Sequence, residues 1–360
     1  MARPIPPLPK PLIAAAYGAA QVARVGWYLG QYAATRRWLA EVEDRRRPSL
    51  RSRLAGARIQ AELARRAVAL LRRDFGNVAA GIYPMPTGLA PRPLSAARDA
   101  LRYWRDLPAV ALRRRRRRAR PGETPAAVVA AADLPDYYRQ SFHDQSGGWL
   151  TAQSAALYDT QVEILFGGLA DAMRRQALPP LARWLQARGA ADGRGATLLD
   201  LGTGTGAMLA TVGRGFPALA LQAVDLSAAY IEEASRRLGG RAVLWHRAPA
   251  EALPLADGSV DLVTATYLLH ELPPEVRAAV LGEAARVLRP GGRMVIVDSL
   301  QLGDAPALDP LLRGFPEYFH EPYYASWVAA DVPALLAAAG LASAGTELAY
   351  LSKVFVADRT

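Results

Sequence analysis

The sequence has 360 residues, of which 51% are hydrophobic, and it contains no cysteine. This length allows about two domains and this composition buries a core, which excludes a wholly disordered chain. Without cysteine the chain forms no disulfide, no thiolate nucleophile and no iron–sulfur cluster. The net charge of +11 is uneven: residues 1–131 hold 26 Lys and Arg against 8 Asp and Glu, or +18, and the remainder holds 18 against 25, or −7. We therefore expect surface attachment and chemistry to lie in different parts of the chain.

The N-terminal region is predicted to be helical after a proline-rich start. Residues 11–34 contain no acidic residue and are rich in Ala and Gly. Polar side chains recur there at helical spacing and draw one stripe along the helix. The stripe consists of Gln21, Arg24, Gln31 and Thr35. It predicts a helix that lies on a surface, either the protein itself or an interfacial membrane, with a membrane-spanning helix as a third alternative. No cleavage site indicates a signal peptide.

Arginine-rich segments follow this helix. Residues 59–73 have an apolar side opposed by arginines, which predicts an amphipathic helix, and a loop-like stretch begins at Gly81. Six consecutive arginines, Arg113 to Arg118, precede a Pro/Gly/Ala linker that ends near Leu134. Such a run is typical of a solvated face or a flexible arm. Its functional alternatives are the binding of anionic lipid headgroups or of nucleic acid.

From Leu134 onward, short apolar runs alternate with helical patterns, which predicts an α/β fold with a parallel sheet. The predicted strands are ATLLDLG, ALQAVDLS, AVLWHRA, VDLVTATY and GRMVIVDS, followed by SAGTELAY and SKVFVADR. Only a tight turn at Leu351 and Ser352 can join the last two strands, so the last strand is expected to run antiparallel. The sequence therefore predicts seven strands with an antiparallel edge.

A glycine-rich turn is the most specific motif in the chain. In LLDLGTGTG, Asp200 ends a predicted strand and Gly202, Gly204 and Gly206 lead into a helix. Glycines let the backbone approach a ligand, and the helix start presents free N–H groups. Asp225 ends the next strand, where a carboxylate can accept the ribose hydroxyls of a nucleoside cofactor. The carboxylate before the glycines disfavours a pyrophosphate, as in dinucleotides, but can hold an ammonium group.

Together with Asp225, AEALPLADGSVDLV, HEL and LRPGG, this turn resembles the class I methyltransferases that use S-adenosylmethionine. The resemblance covers residues 181–297, and it is greatest to the ubiquinone/menaquinone C-methyltransferase group, which acts on small molecules. It implies a Rossmann-like seven-stranded sheet in the order 3-2-1-4-5-7-6, with strand 7 antiparallel.

The resemblance also assigns cofactor contacts. It places Asp200 and the turn at the methionine moiety, Asp225 at the ribose and Leu226 at the adenine. Thr266 is expected near the sulfonium. Where relatives have an acidic residue for the adenine amino group this chain has Ala248 and Pro249, although Glu251 lies in the same segment. The predicted cofactor residues are Asp200, Gly202, Thr203, Gly204, Gly206, Asp225, Leu226, Glu251 and Thr266.

Methyl transfer depends mainly on positioning and on excluding water, and it needs a general base only if the acceptor loses a proton. The candidates are His270 after the fourth strand, His143 before the cofactor region, and His320 in an aromatic insertion; His246 is interpreted as structural. The pairs His270–Glu271 and His320–Glu321 contain metal-binding residue types, but no spacing enforces a metal site, and none is expected.

Two aromatic segments are the expected walls of the acceptor site, although they could instead pack the N-terminal region onto the sheet. The predicted acceptor residues are Tyr138, Phe142, Trp149, Tyr318, Tyr323 and Tyr324.

The predicted organisation is a basic, mainly helical region with a linker (1–131), a helical lid or substrate segment (132–180) and a methyltransferase domain (181–360). The expected reaction is C- or O-methylation of a hydrophobic, aromatic or prenylated small molecule by S-adenosylmethionine. The expected location is the cytoplasm, with residues 1–131 on an anionic membrane or a partner. Two alternatives remain open: methylation of RNA or another nucleic acid, and a non-catalytic scaffold that binds S-adenosylmethionine.

Overall fold

The computed structural model of the chain describes residues 10–42, 50–119, 134–140, 143 and 148–360. Its N-terminal part consists of α1 (Lys10–Val42), α2 (Leu50–Ala79) and α3 (Pro93–Ala119). The predicted loop separates α2 from α3. The six-arginine run continues α3 instead of forming a flexible arm, and Arg114 within it is buried.

A second group of helices precedes the sheet. Thr151 begins α4 (Ala152–Leu165), because its side-chain oxygen accepts the Ser154 N–H. Next come α5 (Ala170–Arg174), a 3-10 turn (Arg175–Ala177) and α6 (Leu178–Gln186).

Strands and helices then alternate to the C-terminus. The order is β1 (Thr197–Leu201), α7 (Ala207–Gly215), β2 (Ala220–Asp225), α8 (Ala228–Leu238), β3 (Val243–Arg247), β4 (Val260–Thr266), α9 (Pro274–Val287), β5 (Leu288–Ser299), α10 (Asp309–Phe319), α11 (Tyr324–Val328), α12 (Val332–Ala338), β6 (Leu341–Ala349) and β7 (Ser352–Arg359).

The strands form one seven-stranded sheet in the order β3-β2-β1-β4-β5-β7-β6. β7 pairs antiparallel with both β5 and β6, and the other neighbours are parallel. The turn before β7 is tight because Tyr350 adopts a left-handed φ of 61°. The predicted sheet order and antiparallel strand are therefore confirmed.

Both faces of the sheet are buried. Leu198 of β1 belongs to the core on one face, and Leu199 belongs to the core on the other, as the period of two in a strand requires. Leu70 of α2 and Tyr83 lie in the same core as Leu198. The described part of the N-terminal region thus completes one core of the sheet.

Helix α2 also contacts the edge of the sheet. The Arg66 Nε donates to the Tyr350 carbonyl at 2.7 Å, and the Arg73 Nη1 donates to the Leu348 carbonyl at 2.8 Å. These arginines therefore attach the helix to its own protein rather than to an external anion.

The polar stripe of α1 faces the protein. Gln21, Arg24 and Thr35 are buried, whereas Val22 is 75% exposed and Leu29 is 48% exposed. Arg24 donates to the Gly168 carbonyl at 2.9 Å and forms ion pairs with Glu163 and Asp171. Of the predicted surfaces, the stripe thus lies on the protein itself. Within the part of the chain that the structure describes, no helix meets the length and hydropathy needed to span a bilayer.

Candidate functional site

The glycine turn between β1 and α7 depends on left-handed backbone conformations. Gly202, Gly204 and Gly206 have φ values of 60°, 57° and 75°. A Cβ on Gly202 would lie 2.8 Å from the Leu268 side chain, and one on Gly206 would lie 2.9 Å from the Cβ of Ala234. A Cβ on Gly204 would have a backbone oxygen, 3.9 Å away, as its nearest neighbour. The turn therefore leaves open space beside Gly204.

Asp225 fixes the turn from the end of β2. Its Oδ2 accepts the Gly204 N–H at 2.7 Å, and its Oδ1 accepts the Ser227 N–H at 2.8 Å. Burial raises the pKa of this carboxyl, while the backbone N–H groups oppose that effect. The carboxylate therefore connects the glycine turn with the start of α8.

A cavity with an empty volume of about 740 Å³ opens beside this turn, and we call it the turn cavity. It lies at the carboxyl ends of the parallel strands, where ligands of open α/β sheets bind. Its lining residues are Tyr137, Tyr138, Trp149, Tyr158, Gly202, Gly204, Val224, Asp225, Leu226, Tyr230, Ala248, Ala250, Glu251, Thr266, Tyr267, Leu268, Glu271 and Leu272.

The structure divides the predicted cofactor residues into two groups. Six of them line the turn cavity, namely Gly202, Gly204, Asp225, Leu226, Glu251 and Thr266. Asp200, Thr203 and Gly206 are not among its lining residues.

Asp200 and Thr203 of the second group form hydrogen bonds that hold the start of the turn in place. The Asp200 Oδ1 accepts the Thr264 hydroxyl at 2.7 Å, and burial raises the pKa of Asp200 to about 7. The Thr203 hydroxyl donates to the Asp200 carbonyl at 3.0 Å. Asp200 is 2% exposed and supports the turn in this structure, and its contact with the methionine moiety stays a prediction.

Several polar atoms of the turn cavity are available to a ligand. Glu251 accepts the Tyr137 hydroxyl on Oε1 at 2.7 Å, but its Oε2 has no partner within the described part of the chain. The same holds for the buried hydroxyl of Thr266. Together with the backbone at Gly204, these atoms can hold a polar molecule.

Aromatic rings cover the other side of the turn cavity. Tyr138 contacts Trp149 edge-on with ring centroids 5.9 Å apart, and Tyr158 of α4 contacts Tyr230 of α8 at the same distance. Tyr158 and Tyr230 were not predicted, because a tyrosine on a helix gives no signal that distinguishes a ligand wall from ordinary packing.

A second cavity of about 450 Å³ lies beyond Tyr267, and we call it the aromatic cavity. Tyr267 is shared by both cavities. The lining residues are Phe166, Tyr267, His270, Ser299, Leu311, Leu312, Phe315, Tyr324, Leu351 and Ser352. Such a wall suits a largely apolar molecule with a few polar groups.

His270 is held at the wall of the aromatic cavity by Asp298. The His270 Nδ1 lies 2.7 Å from the Asp298 Oδ1, and the Leu269 N–H donates to the Asp298 Oδ2 at 3.0 Å. Burial alone would lower the pKa of His270, but the carboxylates of Asp298 and Glu271 outweigh it and raise this pKa well above its ordinary value.

His143 lies between two buried glutamates. Its Nε2 is 2.6 Å from the Glu321 Oε1 and 3.5 Å from the Glu271 Oε1. Burial alone would lower the pKa of His143, but the carboxylates of Glu321 and Glu271 raise it to about 10. Sequence reasoning did not assign Glu321 to the site, although its pairing with His320 as possible metal ligands was noted.

The other predicted residues lie elsewhere. His320 ends α10 in a left-handed conformation with a φ of 51°, and Tyr318 is 43% exposed. Neither of them, nor Tyr323, lines either cavity. Their catalytic and acceptor roles stay predictions, while Glu321, which follows the left-handed His320, is buried. Phe142 lies outside the described residues.

Residues 198–292 match a family model described as a methyltransferase domain. The chain is 33% identical to the ubiquinone/menaquinone biosynthesis C-methyltransferase of Desulfotalea psychrophila over 152 residues, which are 41% of this chain and 58% of that protein. It is 39% identical to the malonyl-acyl-carrier-protein O-methyltransferase of Hahella chejuensis over 98 residues, which are 27% of this chain and 34% of that protein. The chain thus spans less than two thirds of these curated relatives.

Among solved structures, the magnesium protoporphyrin IX methyltransferase of Synechocystis with bound S-adenosylhomocysteine is similar, with a TM-score of 0.42 and 17% identity over 56% of this chain and 88% of that one. Because this score is low, the fold assignment rests on the strand order itself. The family model and the relatives confirm the predicted resemblance as far as a methyltransferase domain, which residues 198–292 match.

Proposed function

We propose that this chain transfers a methyl group from S-adenosylmethionine in the turn cavity to a hydrophobic small molecule in the aromatic cavity. The observation that carries the proposal is that Tyr267 is a wall of both cavities. The two cavities are therefore neighbours, and direct transfer requires that the methyl group reach the acceptor past the Tyr267 ring. The acceptor class follows from the lining, which combines aromatic and leucine side chains with few polar groups.

The cofactor would be oriented by the groups that the turn cavity leaves available. The Gly204 backbone admits a close ligand approach, and Asp225 lies where a ribose is expected from the resemblance. The hydroxyl of Thr266 is a candidate contact near the sulfonium. Because the sulfonium is already an activated leaving group, aligning the two molecules and excluding water would supply most of the rate acceleration.

The acceptor would pack against the rings of the aromatic cavity. Phe315 lies between Phe319 and Tyr324, with ring centroids 4.6 Å and 4.7 Å away. Tyr324 donates to or accepts from the Ser299 hydroxyl at 2.7 Å, which fixes its ring. His270 faces the same cavity and can hydrogen-bond a polar substituent of the acceptor. A flat ring system is the shape that such walls favour.

The test is methyl transfer from radiolabelled S-adenosylmethionine into fractions of a bacterial extract by the purified chain. We expect label in the organic-solvent fraction, and we expect Asp225→Ala to reduce it strongly at a concentration of S-adenosylmethionine below saturation. Label confined to RNA would favour nucleic-acid methylation. Binding of S-adenosylmethionine without transfer to any fraction would favour the scaffold alternative.

We also propose that the outer face of α1 docks on an anionic membrane surface. Between residues 11 and 34 every exposed side chain is apolar or is Ala or Gly, and the exposed Arg36 and Arg37 follow directly. An apolar helix face flanked by cations favours an interface with anionic lipid. The net charge of +18 in residues 1–131 supports the same partner.

Flotation with vesicles tests this attachment. The full chain should float with phosphatidylcholine vesicles that contain phosphatidylglycerol, and the variant Val22→Glu with Leu29→Glu should not. Leu244→Glu is the matched control, because Leu244 is exposed on β3 at the far edge of the sheet. Equal flotation of all three proteins would contradict the proposal.

A further inference from the structure

The cluster of His143, Glu271 and Glu321 contains more acceptor atoms than donors. The ligand atoms of these three side chains lie within 4.8 Å of one another. Glu271 is 4% exposed and Glu321 is 1% exposed. The Oε2 atoms of both glutamates have no hydrogen-bond partner within the described part of the chain. Unpartnered carboxylate oxygens that are this deeply buried are costly unless a cation or a proton satisfies them, and burial together with the Glu271 charge raises the pKa of Glu321 to about 7.

Further charged groups surround the cluster. Asp298 adds a third buried carboxylate, which contacts His270. His143 and His270 are the side chains that contact these carboxylates and can carry a positive charge in the described structure. A metal-bound imidazole is neutral, so a divalent cation would take the place of the His143 proton and add one positive charge to the group.

Arg277 is buried beside the same turn, and although its charge acts on Asp298, its described hydrogen bonds go to groups other than these carboxylates. Its Nε donates to the Leu269 carbonyl at 3.0 Å, and its Nη2 donates to the Leu272 carbonyl at 2.9 Å. The guanidinium therefore stabilises the backbone of the turn that carries Glu271.

We propose that His143, Glu271 and Glu321 bind one divalent transition-metal ion at the boundary between the turn cavity and the aromatic cavity. One imidazole nitrogen with two carboxylates is a donor set that suits Mn²⁺, Fe²⁺ or Zn²⁺ better than Ca²⁺ or Mg²⁺, which prefer oxygen alone. Donors about 2.0–2.2 Å from an ion lie roughly 3–3.5 Å from one another. The 3.5 Å between the His143 Nε2 and the Glu271 Oε1 fits this spacing. The 2.6 Å between the His143 Nε2 and the Glu321 Oε1 is a hydrogen-bond distance, so Glu321 would bind the ion through its unpartnered Oε2 or move apart as the ion displaces the shared proton.

The surroundings of the site support the same assignment. His270 approaches from the side, with its Nε2 3.4 Å from the Glu271 Oε1 and its Nδ1 held by Asp298. A carboxylate that orients a histidine in this way is common around metal ions. His270 is thus placed to act as a further ligand or to orient Glu271.

The role of the ion rests on the proposed function, whereas its binding does not. Glu271 lines the turn cavity and His270 lines the aromatic cavity. An open coordination position there would bind an oxygen of the acceptor and favour its deprotonated form. The acceptor class would then be a hydrophobic molecule with a hydroxyl, enol or carboxylate oxygen.

The test measures metal binding directly. The full chain, without an affinity tag that contains histidine and freed of metal by a chelator, is titrated with Zn²⁺, Mn²⁺ and Mg²⁺ by calorimetry. We expect one Zn²⁺ or Mn²⁺ per chain, weaker Mg²⁺ binding, and at least a tenfold loss of Zn²⁺ and Mn²⁺ affinity in Glu321→Gln and in His143→Gln. His246→Gln is the matched control, because His246 lies on β3 against Gln222. Equal affinity in the wild type and Glu321→Gln, or no binding by the wild type, would overturn the proposal.

A second measurement needs no variant. Pulsed electron paramagnetic resonance of the Mn²⁺-loaded wild-type chain should show coupling to one imidazole nitrogen at the least, and its absence would overturn the assignment of His143. Binding of S-adenosylmethionine is measured separately in the same samples. A chain that binds the cofactor but no metal contradicts only this inference, and a chain that binds metal but no cofactor contradicts only the proposed function.

Discussion

Asp74 of α2 and Arg175, directly after α5, form a bidentate ion pair that is fully enclosed by the protein. The Arg175 Nε and Nη2 donate to the two carboxylate oxygens at 2.8 Å and 2.7 Å. Tyr17 of α1 and Tyr83 donate to the same carboxylate at 2.5 Å and 2.7 Å. A single buried carboxylate therefore connects α1 and α2 with the segment that leads into the methyltransferase domain.

Replacing this carboxylate should destabilise the whole chain. Asp74→Asn leaves the Arg175 guanidinium buried without its counter-charge, and breaking such a pair costs about 3–5 kcal/mol. Urea unfolding should show this loss. Glu41→Gln is the control, because it removes an exposed ion pair with Arg37 and should cost at most about 1 kcal/mol. Similar unfolding free energies for the two variants would contradict the structural role of Asp74.

Binding of S-adenosylmethionine should depend on Asp225. Asp225→Ala removes the acceptor of the Gly204 N–H and the expected partner of the ribose, so calorimetry should show a loss of about 1.5–3 kcal/mol, the usual range for a charge-assisted hydrogen bond. Asp225→Asn retains an oxygen for Gly204 and should lose less. The exposed Glu347→Ala is the control. Unchanged affinity in Asp225→Ala would remove this residue from the cofactor site.

Asp200 should make the unfolding free energy depend on pH. Burial raises its pKa from 3.8 to about 7, so the folded chain keeps a proton that the unfolded chain releases between these values. Its contribution to stability is therefore fully present below about pH 3.8 and is lost as the pH rises through about 7. Asp200→Asn cannot ionise, so its stability relative to the wild type should rise by up to roughly 4 kcal/mol between pH 4 and pH 8. Parallel pH profiles for Asp200→Asn and the wild type would contradict the prediction.

The acceptor site should be sensitive to Phe315 and not to Tyr318, although both lie on α10. Phe315 lines the aromatic cavity, whereas Tyr318 is 43% exposed and lines neither cavity. Phe315→Ala should raise the KM for the acceptor severalfold and leave the affinity for S-adenosylmethionine unchanged. Steady-state kinetics with the acceptor identified by methyl labelling measure both effects. A larger effect of Tyr318→Ala would place the acceptor elsewhere.

The sequence alone determined the sheet and the glycine turn. Consecutive apolar residues such as Leu198 and Leu199 indicate a strand that is buried on both faces. The glycines at 202, 204 and 206 indicate a left-handed turn before a helix. These signals are readable because they depend on backbone conformations within a few residues.

Only the tertiary structure decided which way the polar stripe of α1 faces. The stripe containing Arg24 was visible in the sequence, but an amphipathic helix does not reveal which face meets a partner. Arg24 points inward because it contacts Glu163, Asp171 and the Gly168 carbonyl. All three lie more than a hundred residues away along the chain. The same reason explains why the predicted acceptor residues separate in the structure: Tyr324 lines the aromatic cavity, Tyr138 and Trp149 line the turn cavity, and Tyr318 and Tyr323 line neither.

The cluster of His143, Glu271 and Glu321 also belongs to the tertiary structure. Each of its members comes from a different segment, and no spacing along the chain relates them. Their chemistry arises because burial removes water from acceptors that long-range packing has brought within a few ångströms of one another. The local sequence therefore determines the turn and the strands. Long-range packing determines which charged side chains are buried next to one another.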